Sequence, residues 1–265
     1  MTLTIYGSRG SMPYYHKNAA RLGVNTSCVR LDMNGRIILL DAGTGLAGFT
    51  PPPNCGVDIL LGHLHLDHIV GLPALSALYE PNDIRIYTKS RGDAPLASQV
   101  FGAFRPPYWP VDLSAMCKAR LIEITGAFDL GGRNPAGSVK VTPFDANHPD
   151  GTTSFRIEGE KTVVYLLDCE TAEGAPGFDD LAAFCQNADA VIFDAAYLPE
   201  DYPARRGWGH STYEAGYALA ANCGCKRIIF SHFDYHYTDE TYKILAGKAD
   251  NSRFFLAYDG LVISL

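Results

Sequence analysis

The segment Val57-Asp58-Ile59-Leu60-Leu61-Gly62-His63-Leu64-His65-Leu66-Asp67-His68 places four potential metal ligands directly after an apolar strand. Residues i and i+2 of an extended chain point to the same side, so His63 and His65 can reach one metal ion. Asp67 and His68 begin the following turn and can aim at a second ion. Imidazole and carboxylate ligands suit Zn, Fe or Mn. A polar surface loop is the alternative interpretation, but so dense a group of ligands favours a metal site.

Three further polar residues each stand just past the end of an apolar run. These are His148 after residues 139–144, Asp168 after residues 162–167, and His232 after residues 227–230. Any one of them alone would more commonly be a satisfied surface or core residue. The repeated pattern, however, predicts that the loops at several strand ends converge on one site.

Apolar runs rich in Val, Ile, Leu and Phe predict many strands and few helices. Strands are expected at 2–6, 28–32, 36–41, 57–61, 84–88, 120–124, 139–144, 153–158, 162–167, 190–193, 226–230, 254–257 and 261–264. Helices are expected at 67–79, 94–103, 178–186, 211–222 and 239–248. Ser211-Thr212-Tyr213-Glu214 predicts a capping box in which Ser211 caps its helix. The pattern indicates a mixed α/β fold of two facing sheets with helices outside, as a single domain over residues 1–265.

The bulk composition limits the kinds of partner. The chain has 265 residues, 47% of them hydrophobic, and a net charge of −7. This charge argues against a protein that holds nucleic acid on a broad basic surface, so no large nucleic-acid surface is expected. No apolar run reaches membrane-spanning length, and residues 2–6 resemble a strand rather than a secretion signal. Seven cysteines in no framework spacing complete the expectation of a cytoplasmic protein without a membrane partner.

The motif His63-x-His65-x-Asp67-His68, followed in order by His148, Asp168 and His232, resembles the metallo-β-lactamase fold superfamily over nearly the whole chain. The resemblance implies an αβ/βα four-layer sandwich with its site at one edge. It implies one ion bound by His63, His65 and His148, and a second bound by Asp67, His68 and His232, with Asp168 bridging both. The expected cofactors are two divalent metal ions, zinc first, with Mn or Fe as alternatives.

Later segments resemble the phosphodiesterase branch of this superfamily, which includes tRNase Z and cyclic-phosphodiester hydrolases. Gly209-His210-Ser211-Thr212, followed by Glu214-Ala215, is similar to the branch's His motif. Residues 191–197 stand where tRNase Z carries a His-Glu-Ala-Thr motif, with Asp194 in place of the Glu and Phe193 in place of the His. Residues 7–11, 25–28 and 40–45 are similar to the N-terminal half of the same branch.

His210 has a physical argument of its own. It lies just before a capped helix, where unpaired backbone N–H groups favour an anion. A histidine there can protonate a leaving oxygen or stabilise developing charge, and Asp194 can fix its tautomer. A helix-start histidine facing solvent is the alternative interpretation, and the motif context favours the catalytic one.

These features predict a metal-dependent hydrolase in which a hydroxide bridging two ions attacks a phosphodiester. Asp67 would orient or deprotonate the water, and His210, backed by Asp194, would serve the leaving oxygen. The expected substrate is a small or cyclic nucleotide-type phosphodiester, and the resemblance suggests a homodimer. Hydrolysis of a lactam, lactone or thioester is one alternative, although it leaves His210 without a task. tRNA 3′-end processing is another, although no long Gly-rich or basic insertion that could grip tRNA is present.

Two interpretations come from other classes of protein. Electron-transfer or oxygen-reducing di-iron proteins of this fold usually carry a Glu where His65 stands. A catalytically inactive binding protein would be expected to lack a ligand, whereas every expected ligand is present here.

Several weaker signals stay open. Arg205-Arg206-Gly207-Trp208 is either a phosphate and base contact or a solvated basic turn. Residues 101–109 are a substrate lid, a dimer contact or part of the core. Residues 43–48 match G-x-G-x-x-G, but prolines at 51–53 follow instead of a helix, which excludes a dinucleotide site. His16 and His236 have no assigned role, although His236 is a candidate to orient a ligand.

Overall fold

The computed structural model describes residues 1–18, 21–53, 55–75, 78, 83–131 and 137–265. These residues form two mixed sheets of seven strands each, with helices packed outside them. The expected αβ/βα sandwich is confirmed. The architecture follows from the sequence because strands with both faces apolar need cover on both sides.

The first sheet is antiparallel in one half and parallel in the other. Its strands, in spatial order, are β14 (Val262–Ser264), β1 (Thr2–Gly7), β2 (Cys28–Met33), β3 (Arg36–Leu40), β4 (Val57–Leu60), β5 (Ile84–Thr88) and β6 (Arg120–Glu123). Pairing is antiparallel from β14 to β3 and parallel from β3 to β6. The tight hairpin between β2 and β3 places Asn34 at φ 50° and Gly35 at φ 72°, as an Asn-Gly turn requires.

The second sheet is also parallel in one half and antiparallel in the other. Its strands, in spatial order, are β13 (Phe254–Leu256), β12 (Ile228–Ser231), β11 (Ala190–Asp194), β10 (Thr162–Leu166), β9 (Thr152–Glu158), β8 (Lys140–Ala146) and β7 (Phe128–Asp129). Pairing is parallel from β13 to β10 and antiparallel from β10 to β7. The two-residue β7 was not predicted, because so short a strand carries no alternating pattern.

The helices depart further from the prediction than the strands do. They are α1 (Leu66–Ile69), α2 (Leu96–Phe101), α3 (Leu113–Met116), α4 (Phe178–Phe184), α5 (Tyr213–Cys223) and α6 (Asp239–Ala246). In the described part of the chain, no helix is both long enough and apolar enough to cross a membrane. The short α3 was not predicted.

The prediction of a single helix at 67–79 is wrong. α1 ends at Ile69, and Leu72–Ala74 form a separate 3₁₀ turn with a proline at its start. The helix does not continue because the Gly71 amide donates to the carbonyl oxygen of Ala42, outside the helix, at 2.8 Å. Positions 76, 77 and 79 of the expected helix lie outside the described residues.

The cap of α5 also differs from the prediction by one residue. Thr212, not Ser211, is the N-cap, and its hydroxyl accepts a hydrogen bond from the Ala215 amide. The Ser211 hydroxyl instead donates to the carbonyl oxygen of Cys169 and accepts from the Thr171 amide. Ser211 therefore joins α5 to the loop after β10, where Asp168 lies.

Alternating residues of the central strands serve two hydrophobic layers. In β3, Ile38 and Leu40 enter the core between the sheets, whereas Ile37 and Leu39 pack outward. The outer layer includes side chains of α2 such as Val100 and Phe101. Because both faces of a central strand such as β3 are covered, its end is a rigid support for the loop that follows.

Candidate metal centre

Four strands of the two sheets deliver the predicted ligands to one edge of the sandwich. His63, His65, Asp67 and His68 follow β4, His148 follows β8, Asp168 follows β10 and His232 follows β12. The structure brings all of these side chains together in overlapping groups. Most are almost fully buried, with His63, His68, Asp168 and His232 each exposing 3% or less.

The first group consists of His63, His65 and His148, whose ligand atoms lie within 4.8 Å of one another. His148 Nε2 stands 3.4 Å from His65 Nδ1. Nitrogen ligands 2.0–2.1 Å from a tetrahedral zinc ion would be about 3.3 Å apart, so this spacing suits a shared ion. His148 Nδ1 donates to the carbonyl oxygen of Gly209 at 3.0 Å, which leaves Nε2 as the ligand atom.

The second group consists of Asp67, His68 and His232. Asp67 Oδ2 lies 3.1 Å from His68 Nε2 and 3.8 Å from His232 Nε2. The Ser11 amide donates to Asp67 Oδ2 at 2.8 Å and fixes this carboxylate from the N-terminal loop. Ser27 Oγ lies 2.9 Å from His232 Nδ1, so Nε2 is again the nitrogen that faces the group.

Asp168 lies between the two groups. Its Oδ2 stands 3.0 Å from His68 Nε2, and its Oδ1 stands 3.3 Å from His232 Nε2. Oδ1 is also 3.8 Å from Nε2 of both His63 and His148. Asp168 adopts φ 55°, a conformation in which the chain turns sharply after β10. One carboxylate therefore faces ligand atoms of both groups, as a bridging ligand must.

The buried polar atoms at this edge indicate what the groups can hold. His63 Nδ1 and Nε2, His68 Nε2, His232 Nε2 and Asp168 Oδ2 are buried and have no hydrogen-bond partner among the described residues. Leaving such atoms unpaired is costly, and a divalent cation would satisfy several at once. Burial also lowers the pKa of His63 and of His148, which favours the neutral imidazole that binds metal. The residues therefore fit two divalent ions.

His210 and Asp194 form a buried pair beside these groups. Asp194 Oδ2 accepts a hydrogen bond from His210 Nδ1 at 2.8 Å. Burial opposes a charged ring, but the Asp194 carboxylate raises the pKa of His210 to about 9. Asp194 also accepts from the amides of Asp168 at 2.9 Å and Ala196 at 3.0 Å. Because its oxygens are occupied in this way, we interpret Asp194 as a positioning residue rather than a metal ligand.

Asp41 is a residue of the site that the sequence analysis missed. It follows β3 at φ 58°, and its Oδ2 accepts from His68 Nδ1 at 2.6 Å and from the Tyr165 hydroxyl at 2.7 Å. Its Oδ1 accepts from the Gly62 amide at 2.8 Å. Asp41 thereby fixes the ring of His68 with Nε2 directed at the ligand group. The sequence signal that could have revealed Asp41 is its position directly after an apolar strand. The predicted ligands occupy the same kind of position.

The loop before His210 is held by Glu170, which was also missed. Its carboxylate accepts from the Gly207 amide at 2.8 Å and from the Gly209 amide at 2.9 Å. Arg205 lies 3.6 Å from Asp201 and 4.0 Å from Asp234, so the basic turn is partly neutralised.

The remaining segments lie outside the ligand groups. Within residues 101–109, Phe101 and Phe104 are each 3% exposed, which confirms core packing for these two side chains. His236 is 65% exposed and pairs with Asp234 at 3.1 Å. His16 accepts a hydrogen bond from the Asn18 amide at 3.2 Å.

The chain resembles proteins of a known superfamily in sequence and in fold. A family model described as the β-lactamase superfamily domain matches residues 36–233, which include every predicted ligand. The chain belongs to the metallo-β-lactamase superfamily. Its activity is accordingly that of a hydrolase of the metallo-β-lactamase fold.

Several relatives of this superfamily member align with almost the whole of its chain. Ribonuclease Z of Bradyrhizobium diazoefficiens is 25% identical, over 98% of this chain and 99% of the relative. The metallo-β-lactamase fold protein YhfI from Bacillus subtilis superposes with a TM-score of 0.69 at 20% identity, over 99% of this chain and 98% of that one. The short form of human tRNase Z superposes with a TM-score of 0.66 at 21% identity, over 100% and 99% of the two chains.

The expectation of a small-molecule substrate without a large nucleic-acid partner is wrong for this superfamily member. Relatives aligned over nearly its whole length are named Ribonuclease Z, after a large nucleic acid. The inference failed because a net charge of −7 describes the whole surface. The field at a site is set by bound cations and by the nearest groups, and these can differ in sign from the average.

Proposed function

We propose that this chain is a metal-dependent phosphodiesterase that cleaves a phosphodiester bond of RNA, with precursor tRNA as the first substrate to test. The observation that carries the proposal is the His210–Asp194 pair, at 2.8 Å, beside two groups of candidate metal ligands with Asp168 between them. The ligand groups alone would serve any hydrolytic reaction, whereas the pair adds a proton donor at their border.

We further propose that His63, His65 and His148 hold one ion, that Asp67, His68 and His232 hold the other, and that Asp168 bridges them. Divalent ions bound there would supply Lewis acidity and an activated water at neutral pH. Zinc is the first choice because imidazole predominates among the donors, while Mn and Fe suit the same set.

The chain's own side chains divide the remaining work. Because Asp194 occupies His210 Nδ1, Nε2 is the ring atom left to face a leaving oxygen. The Asp194 carboxylate raises the pKa of His210 to about 9, which favours the protonated ring and would allow it to donate a proton to the leaving oxygen. Asp67, fixed by the Ser11 amide at 2.8 Å, would orient the attacking water or accept its proton.

Two observations favour RNA over the alternatives. A thioester expels a thiolate that can leave without a proton, whereas the alkoxide expelled from a phosphodiester needs the proton that the His210–Asp194 pair can supply. Relatives named Ribonuclease Z, at 23–25% identity over almost the full length, support a nucleic-acid substrate.

The experiment is a substrate panel on zinc-loaded protein, repeated with Mn and Fe. The panel contains a 3′-extended precursor tRNA, bis-p-nitrophenyl phosphate, 2′,3′- and 3′,5′-cyclic nucleotides, nitrocefin and an acyl thioester. We expect cleavage of the RNA and of at least one small diester. Turnover of nitrocefin or the thioester, with every phosphodiester left intact, would place the chain in a different class of hydrolase.

A further inference from the structure

Trp208 is a large exposed aromatic side chain on the loop that leads into His210. It exposes 60% of its surface, although apolar side chains of this size are usually well covered. It stands two residues before His210 in the chain. An exposed aromatic ring so near a candidate catalytic histidine in the chain is a candidate surface for binding the substrate.

The backbone on both sides of Trp208 is fixed by one carboxylate. Glu170 accepts from the Gly207 amide at 2.8 and 2.9 Å and from the Gly209 amide at 2.9 Å. Glu170 also accepts from the Tyr202 hydroxyl at 2.8 Å. Trp208 is thus presented to solvent from a rigid loop, which lowers the entropy lost when a ligand packs on its ring.

The same loop makes direct contact with the ligand groups. The carbonyl oxygen of Gly209 accepts from His148 Nδ1 at 3.0 Å. Gly209 adopts φ 89°, and a Cβ atom there would stand 2.1 Å from His148 Nδ1. Trp208 is therefore one peptide unit away from a group that holds a predicted metal ligand in place.

The charges around Trp208 suit a nucleotide. The Arg205 guanidinium is engaged by Asp201 and Asp234 and stacks over the Tyr197 ring at 5.1 Å. Arg206 is exposed and lies 5.8 Å from the Tyr202 ring. The loop therefore offers an aromatic face with an exposed cation nearby, the combination by which proteins bind single-stranded nucleic acid.

We propose that Trp208 is a stacking platform for a nucleobase of the nucleotide next to the scissile phosphate. This inference rests on the proposed function, since it assigns a base-binding position to the same site. Base stacking on an aromatic ring is sequence-tolerant, so Trp208 would add affinity for a nucleotide without selecting one base.

Binding can be tested without catalysis because the chain has only two tryptophans. Trp109→Phe leaves Trp208 as the sole indole fluorophore, and Trp208→Phe leaves Trp109 as a matched control. The probe is a short phosphorothioate-linked RNA, compared with the same RNA carrying abasic nucleotides. We expect the RNA to quench Trp208 fluorescence and the abasic RNA to bind about 10- to 100-fold more weakly. Equal quenching by both probes, or none by either, would overturn the proposal.

A second measurement separates stacking from a structural role. With a cleavable RNA, one abasic nucleotide beside the cleaved bond should raise KM about 10-fold or more for the unaltered protein. Trp208→Ala should show that raised KM on both RNAs, and Trp208→Phe should restore the difference. A Trp208→Ala variant that still distinguishes the two RNAs as the unaltered protein does would refute stacking. If the unaltered protein cleaves no RNA, the proposed function fails, while the fluorescence result still decides the role of Trp208.

Discussion

At the scale of single residues, one buried carboxylate connects the proposed metal ligands to the proposed proton donor. Asp194 is fully buried at the end of β11, and its Oδ2 accepts from both the Asp168 amide and His210 Nδ1. This short side chain reaches His210 from the strand itself, so an aspartate suffices where a glutamate was the expected family residue. Asp194 thereby fixes the backbone of the proposed bridging ligand and the ring of the proposed acid together.

Replacing the proposed acid should separate catalysis from metal binding. In His210→Ala we expect both ions to remain bound and kcat to fall about 10²- to 10⁴-fold, because the leaving oxygen loses its proton donor. Metal content is measured by elemental analysis and kcat on the cleaved RNA. His16→Ala is the matched control and should match the unaltered protein. A His210→Ala variant with unchanged kcat would remove His210 from the proposed chemistry.

Replacing Asp41 should weaken the binding of one ion and leave the binding of the other unchanged. In Asp41→Asn an NH2 group replaces one of the two carboxylate oxygens. Both oxygens accept hydrogen bonds, one from the Gly62 amide and the other from His68 Nδ1 and the Tyr165 hydroxyl, so the new NH2 group must face a donor. Whichever way the amide turns, the charged acceptor that orients His68 is lost, and we expect affinity for the second ion to drop about 10- to 100-fold. Competitive chelator titration measures both affinities. Tyr165→Phe keeps the His68 contact and should lose much less, and tight binding of both ions by Asp41→Asn would contradict this role.

At the scale of elements, strands end in conformations that turn side chains into the site. Asp41 after β3, Asp168 after β10 and His232 after β12 adopt φ 58°, 55° and 65°. Such left-handed conformations in non-glycine residues cost about 1 kcal/mol or more each, and they persist where surrounding contacts determine them. Because they recur at three strand ends, the fold stabilises the site geometry at the expense of local strain.

This level also shows what the sequence could predict. The strands could be placed because their apolar runs are long, and the ligands because each is a metal-binding residue type at a strand end. The end of the helix predicted at 67–79 could not be placed correctly, since the hydrogen bond from the Gly71 amide to the Ala42 carbonyl oxygen exists only in three dimensions. Asp41 and Glu170 were missed because the hydrogen bonds of their side chains join residues 21 to 124 positions apart. No local pattern records such contacts.

The loop before α5 gives a prediction with its own control. In Gly209→Ala the new Cβ would stand 2.1 Å from His148 Nδ1, so the loop and the first ligand group must move apart. We expect affinity for the first ion and kcat to fall together, each about 10-fold or more. Gly207→Ala has a similar φ of 86° but no atom within 4 Å of its Cβ, so it tests backbone strain alone. If both variants lose metal equally, strain rather than the His148 contact is responsible.

At the scale of the whole molecule, the proposed metal ligands come from both sheets. His63, His65, Asp67 and His68 come from the first sheet, and His148, Asp168 and His232 come from the second. The last strand, β14, pairs with β1, so the ends of the chain are held in the same sheet. We therefore propose that residues 1–265 behave as one domain whose two halves are clamped at the site edge by bound ions.

Removing the ions should then lower the stability of the entire molecule. A ligand present at 100 times its dissociation constant stabilises the native state by about 2.7 kcal/mol, and two such ions would contribute about twice that. For a chain of this size each kcal/mol shifts Tm by about 2–4 °C, so exhaustive chelation should lower Tm by about 10–20 °C. Scanning calorimetry measures this shift, with zinc added back as the control. Because the ions would link both sheets, the transition should stay single before and after chelation. Two separated transitions, or an unchanged Tm, would show that the ions do not clamp the sheets together.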